Sequence, residues 1–78
     1  MPDSGKTFAD FYEQSYPRIV GEIALLVGSG TIAQDIAQDA YARAWRSWEQ
    51  VAQYDQPHAW VRRVAFNLAT SRDRKSVV

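Results

Sequence analysis

The sequence predicts an all-α fold, a compact three-helix bundle. Three observations predict it. Apolar residues recur at three- and four-residue spacing in three separate stretches, the signature of helices with one buried stripe. No stretch alternates apolar and polar residues as a half-buried strand would. Breaker-rich segments, Gly28-Ser29-Gly30 and Gln50 to Gln56, separate the three stretches and are short enough to make neighbours antiparallel.

The first helix is expected from about Thr7 to Val27, with Phe8, Phe11, Tyr12, Ser15, Tyr16, Ile19, Ile23 and Leu26 on one face. Pro17 lies inside it, where a missing N–H removes one hydrogen bond and favours a kink. The second helix is expected over about 32–48. Thr31 followed by Gln34 reads as a capping-box start. Its inner stripe is Ala33, Ile36, Ala37, Ala40, Tyr41, Ala44, Trp45 and Trp48, and its outer side carries Asp35, Gln38, Asp39, Ala42 and Arg46. The third helix is expected over about 57–74. Pro57 suits a first turn, where the absent N–H costs nothing. Trp60, Val61, Val64, Ala65, Leu68 and Ala69 form its stripe. Trp45, Trp48 and Trp60 are expected in the core. Residues 1–6 are expected as a disordered leader, 7–75 as the domain and 76–78 as a frayed tail.

At 78 residues the chain is one domain. A chain this short buries about 60% of its unfolded surface, so its core must be dense. There is no cysteine, which excludes disulfides and thiolate metal sites and fits a reducing, cytoplasmic setting. No apolar run reaches the roughly 20 residues of a membrane span, and no membrane partner is expected.

The formal net charge of +0 conceals polarity. Residues 1–56 hold four Lys/Arg against eight Asp/Glu, a net of −4, while residues 57–78 hold five against one, a net of +4. Such asymmetry suggests different partners for the two parts. Cations near a helix C-terminus also suit the helix dipole, which accounts for Arg72, Arg74 and Lys75. Arg62 and Arg63 lie too near the helix start for that explanation.

Catalysis is not expected. The one histidine, His58, has no nucleophile–base partner. Ser4-Gly5-Lys6-Thr7 lacks the upstream glycine and strand of a phosphate-binding loop. Asp35 and Asp39 make a poor cation site without further oxygen ligands, so neither metal nor cofactor is expected. As a like-charge pair four residues apart they cost a few tenths of a kcal/mol on an isolated helix. An ordinary solvated face relieved by Arg43 would explain them; so would an acidic docking face for a basic helix. Phe66 stands on the polar side of the third helix with Arg62, Arg63, Asn67 and Thr70. A ring among arginines can stack on unpaired bases while the guanidiniums hold phosphates. Packing under a neighbouring element is the plainer alternative.

Taken together, FADFYEQSYPRIVGEIALLVG, AQDIAQDAYARAWRSW and PHAWVRRVAFNLATSR resemble the promoter-melting domain, region 2, of bacterial sigma factors, most closely the extracytoplasmic-function group. The resemblance runs from about Phe8 to Arg74 and rests on Phe-x-x-Phe-Tyr with Tyr-Pro-Arg, Asp-x-x-Gln-Asp, and Trp-x-x-x-x-Ala-x-Asn-Leu-Ala. It implies a transcription initiation factor domain that is not itself an enzyme. It implies that Asp35, Gln38 and Asp39 grip the coiled coil on the largest subunit of core RNA polymerase, with Arg43 and Arg46 beside them. It implies that the Gln50–His58 connection, with Gln53, Tyr54, Asp55 and His58, receives a base flipped from the nontemplate strand of the −10 element. Arg62, Arg63, Phe66, Asn67 and Thr70 match the helix that tracks this single-stranded DNA. An anti-sigma protein is a further partner the resemblance admits.

The chain departs from the family pattern at Ser71, where Asp is frequent, at Phe66, where Arg is common, and in a short specificity loop. The helix-turn-helix domain that usually follows and reads the −35 element is expected to be absent, the chain reading as an excised domain. Two other readings fit an all-helical chain of this size. A helical protein-interaction module would show salt-insensitive binding and no nucleic-acid role. A duplex-reading helix-turn-helix would need a tight turn between two short helices.

Overall fold

The structure, a computed structural model, describes residues 7–77, with side chains described as far as Ser71; the expected leader 1–6 lies outside the described residues, as does Val78. The described residues form α1 (Phe8–Val27), α2 (Gly30–Arg46), the single turn α3 (Trp48–Val51) and α4 (Pro57–Val77). The expected all-helical architecture is present, with one turn more than the sequence reading allowed for.

Local chemistry sets the boundaries. Thr7 caps α1, its hydroxyl accepting from the Asp10 N–H at 3.1 Å. Gly28 ends α1 in the left-handed region at φ 75°, its N–H donating to the Ala24 carbonyl at 2.8 Å. The chain is then extended for a single residue, Ser29, whose hydroxyl accepts from the Ile32 N–H at 3.2 Å. The expected Thr31–Gln34 capping box is therefore corrected. Ser29 is the cap, and Thr31 is an exposed residue of the first turn. A serine next to the left-handed glycine captures the free N–H groups before Thr31 can.

The second helix also ends earlier than expected. Ser47 at φ −112° and ψ 26° breaks the helical path, and its N–H donates to the Arg43 carbonyl at 3.2 Å. Trp48–Val51 then forms its own turn, and Val51 is fully buried. The expected polar connection from Gln50 to Gln56 is thus anchored by one aliphatic side chain near its start. α1 continues unbroken through Pro17, which faces solvent. α4 continues past Arg74 to Val77.

α1, α2 and α4 pack pairwise on one another. Their shared core holds Ile19 and Ile23 from α1, Val61, Ala65 and Ala69 from α4, and Ala33, Ile36, Ala37, Ala40, Tyr41 and Ala44 from α2. α2 supplies mostly methyl groups, so its neighbours approach closely and small side chains fill the space at high density. Ser15, expected on the inner face, is buried and spends its hydroxyl proton on the Phe11 carbonyl at 2.7 Å. Its oxygen lies 2.6 Å from the Tyr41 hydroxyl, so Tyr41 is the donor in that buried pair.

Three expected core residues need correction. Leu26 is exposed. Trp45 is 62% exposed and leans one face on Phe8, ring centroids 5.2 Å apart. Trp48 is half-buried, its ring tilted against Phe11 with centroids 5.1 Å apart. Trp45 stands one residue before the end of α2, where it meets the first residue of α1. Trp60 is also half-buried and packs against the core.

Candidate nucleic-acid and protein interfaces

Burial of one face of α2 decides which residues the other presents. Ala33, Ile36, Ala37 and Ala40 are sealed, so Asp35, Gln38 and Asp39 stand in solvent on the reverse side. Arg43 pairs with Asp39 at 3.6 Å, both side chains about half exposed. An exposed pair of this kind contributes at most about 1 kcal/mol and yields readily to a stronger partner. Asp35 has no cation partner among the described residues. Arg46 is exposed further along. Trp45, which the sequence reading assigned to the core, extends this face with a large apolar surface. Aromatic anchors dominate binding energy where charged rims set orientation.

α4 is built the same way. Val61, Ala65 and Ala69 are buried, leaving Arg62, Arg63, Phe66, Asn67 and Thr70 exposed. Phe66 is 38% exposed. The plainer alternative, packing under the first helix or the Gln50–Gln56 connection, is met in part, since most of the side chain is covered and Glu22 and Leu25 of α1 flank its groove. Phe66, Arg62, Arg63, Asn67 and Ala59 line a shallow open groove whose other wall is Glu22 and Leu25 of α1. Thr70 donates its hydroxyl to the Phe66 carbonyl at 3.0 Å, so toward a ligand it is an acceptor. Arg62 lies 3.6 Å from the Glu22 carboxylate.

The connection between α3 and α4 divides. Gln53 donates its side-chain amide to the Glu49 carbonyl at 3.0 Å, and Tyr54 is exposed. Neither borders the more enclosed cleft nearby. Asp55, Pro57 and His58 do, facing Asp10, Phe11, Gln14 and Arg18 of α1. The cleft thus has an aromatic edge at Phe11, a guanidinium, an amide, an imidazole and two carboxylates. Sequence reasoning missed Gln14, Arg18 and Glu22. The only available signal was their polar side of α1, which says nothing of what they face across the bundle.

Among the described residues no cluster of His, Asp and Glu converges as a metal site. No described helix is long and apolar enough to cross a membrane.

No curated protein and no solved structure matches the chain. The family model described as Sigma-70 region 2 matches residues 11–77, from the aromatic first turns of α1 to the end of α4. That span includes the acidic face of α2, the connection beside the cleft and the arginine-flanked Phe66. The chain belongs to the sigma-70 region 2 family, whose members are transcription initiation factor domains.

Proposed function

We propose that this domain docks on core RNA polymerase through α2 and holds the nontemplate strand of the melted −10 element along α4. Membership of the family carries polymerase binding and promoter melting in general. The finer reading is that Asp35, Gln38 and Asp39, with Arg43 and Arg46, meet the basic coiled coil of the largest subunit. Arg62, Arg63, Phe66, Asn67 and Thr70 track the opened strand. The protein is read as a member of the extracytoplasmic-function group, acting in the bacterial cytoplasm, with an anti-sigma protein able to silence it by covering either face.

One observation carries the DNA reading. Folding leaves Phe66 38% exposed in a groove that it lines together with Arg62 and Arg63, so part of an aromatic surface stays open beside two guanidiniums. Melted bases offer exposed π faces, and stacking returns about 1–3 kcal/mol per base. Flipping one base out of the stack costs a few kcal/mol and needs a receiving pocket. The cleft between Asp55, His58 and the α1 residues Gln14 and Arg18 is suited to that task by its position and its mix of donors and acceptors. Arginine–phosphate contacts hold the strand and make binding fall with salt.

The test separates the two faces. Asp35→Arg with Asp39→Arg is expected to weaken retention on core polymerase more than about tenfold by placing cations against a basic surface. Arg63→Ala with Phe66→Ala is expected to leave retention unchanged. In the polymerase complex it is expected to lower affinity for a single-stranded −10 oligonucleotide by about tenfold or more. Unaltered co-precipitation by the first variant removes the docking assignment. Equal oligonucleotide anisotropy by the second removes the DNA assignment.

A further inference from the structure

Glu22 lies at the junction of the two depressions on the DNA-facing side. Its Oε2 atom is 3.6 Å from Arg62 Nη1, which borders the α4 groove, and 3.8 Å from Arg18 Nε, which borders the cleft beneath Asp55 and His58. One carboxylate therefore engages a cation on each side. Its other oxygen, Oε1, is buried and accepts no hydrogen bond from the described residues. Burying an unpartnered carboxylate oxygen costs free energy. Neither ion pair is at hydrogen-bonding distance, and both arginines keep about half or more of their side chains in solvent. Such contacts are weak and exchangeable. The carboxylate thus takes up cationic charge on the surface proposed for a strand, in return for two exposed pairs worth at most about 1 kcal/mol each.

We infer that Glu22 is an internal competitor for the phosphodiester backbone. It holds Arg62 and Arg18 in reserve, and a single strand laid from the groove to the cleft must displace it to recruit them. Arg63, one residue along, has no carboxylate partner among the described residues and meets phosphate directly. This rests on the DNA reading above. The consequence is a lowered affinity for nucleic acid in general, with little effect on recognition of a strand already positioned by the polymerase. Backbone phosphate contacts are blind to sequence, so restraining them raises selectivity.

The experiment uses the chain bound to core polymerase and a short fluorescein-labelled oligothymidine, titrated across a range of salt. Glu22→Gln is expected to bind roughly two- to fivefold tighter at low salt, the value of two released exposed pairs. Its log–log salt slope is expected to steepen by about 0.7 for each arginine released. In an Arg18→Gln/Arg62→Gln background, adding Glu22→Gln is expected to change nothing. A second comparison does not depend on Glu22→Gln folding well. With Glu22 in place, Arg62→Gln is expected to cost less affinity than Arg63→Gln, because Arg62 is already partly neutralised. Unchanged affinity and slope for Glu22→Gln, a gain that persists without both arginines, or equal losses for Arg62→Gln and Arg63→Gln each overturn the proposal. Failure of the DNA reading looks different: Arg63→Ala with Phe66→Ala would leave oligonucleotide binding untouched.

Discussion

Tyr41 shows how one side chain ties the fold to pH. Its ring is buried among Phe8, Phe11, Tyr12 and Tyr16, and its hydroxyl donates to Ser15. Burial pushes its pKa up from 10.0 to about 12, partly offset by the Ser15 hydroxyl, which can turn toward a phenolate. The raised value belongs to an acid that is neutral when protonated. Its contribution is therefore whole below pH 10 and is lost as pH climbs through 12. The loss is on the order of 2 kcal/mol. Thermal melts are expected to hold a level midpoint below pH 10 and fall between 10 and 12. Tyr41→Phe starts about 1 kcal/mol lower for the lost hydrogen bond and falls less steeply. Tyr12, also raised by burial and by Tyr16, acts in the same direction. Parallel curves for the two proteins would show that Tyr41 is not the titrating group. Sequence spacing placed Tyr41 inward, and Ser15 with it. It could not place Trp45, since spacing reports which face a residue occupies and not whether an opposing helix extends that far.

At the scale of elements, α2 works because its inner stripe is made of methyl groups. Ala33, Ala37, Ala40 and Ala44 have no exposed surface, and both α1 and α4 close over them. Adding volume there must force the neighbours apart. Ala37→Leu is expected to cost about 1–3 kcal/mol. In a domain this size each kcal/mol moves the melting midpoint by about 4–8 °C. Ala42→Leu, on the exposed side of the same helix, is expected to stay within about 0.5 kcal/mol. Similar midpoints for the two variants would mean that α2 is not closely packed. The helical period made this stripe legible, along with the Gly28 stop and the Pro57 start. The cap of α2 was not legible, because Ser29 and Thr31 both offer a hydroxyl and only the left-handed turn at Gly28 decides between them. The turn at Trp48–Val51 was hidden for a related reason: its apolar pattern runs on from α2 without interruption.

At the scale of the whole molecule, three mutually packed helices leave each with an outer face aimed in its own direction. The acidic face of α2 and the arginine–phenylalanine face of α4 therefore share no ion pair among the described residues. Each was legible as a face, since both lie on regular helices whose backs are apolar. What no local pattern could give is register between helices: Glu22 meets Arg62 across the bundle, and Arg18 meets the cleft of Asp55 and His58. Separate faces without shared partners should be energetically independent. The fourfold variant Asp35→Arg/Asp39→Arg/Arg63→Ala/Phe66→Ala is expected to keep its helical circular dichroism. Its change in unfolding free energy is expected to equal the sum of the two double variants within about 0.5 kcal/mol. Each double variant alone should alter stability little, since exposed substitutions usually fall within about 0.5 kcal/mol. Coupling well beyond that margin would mean that the two faces communicate through the alanine core. Docking on the polymerase could then reshape the strand-binding surface, and the α2 and α4 surfaces would have to be treated as one site.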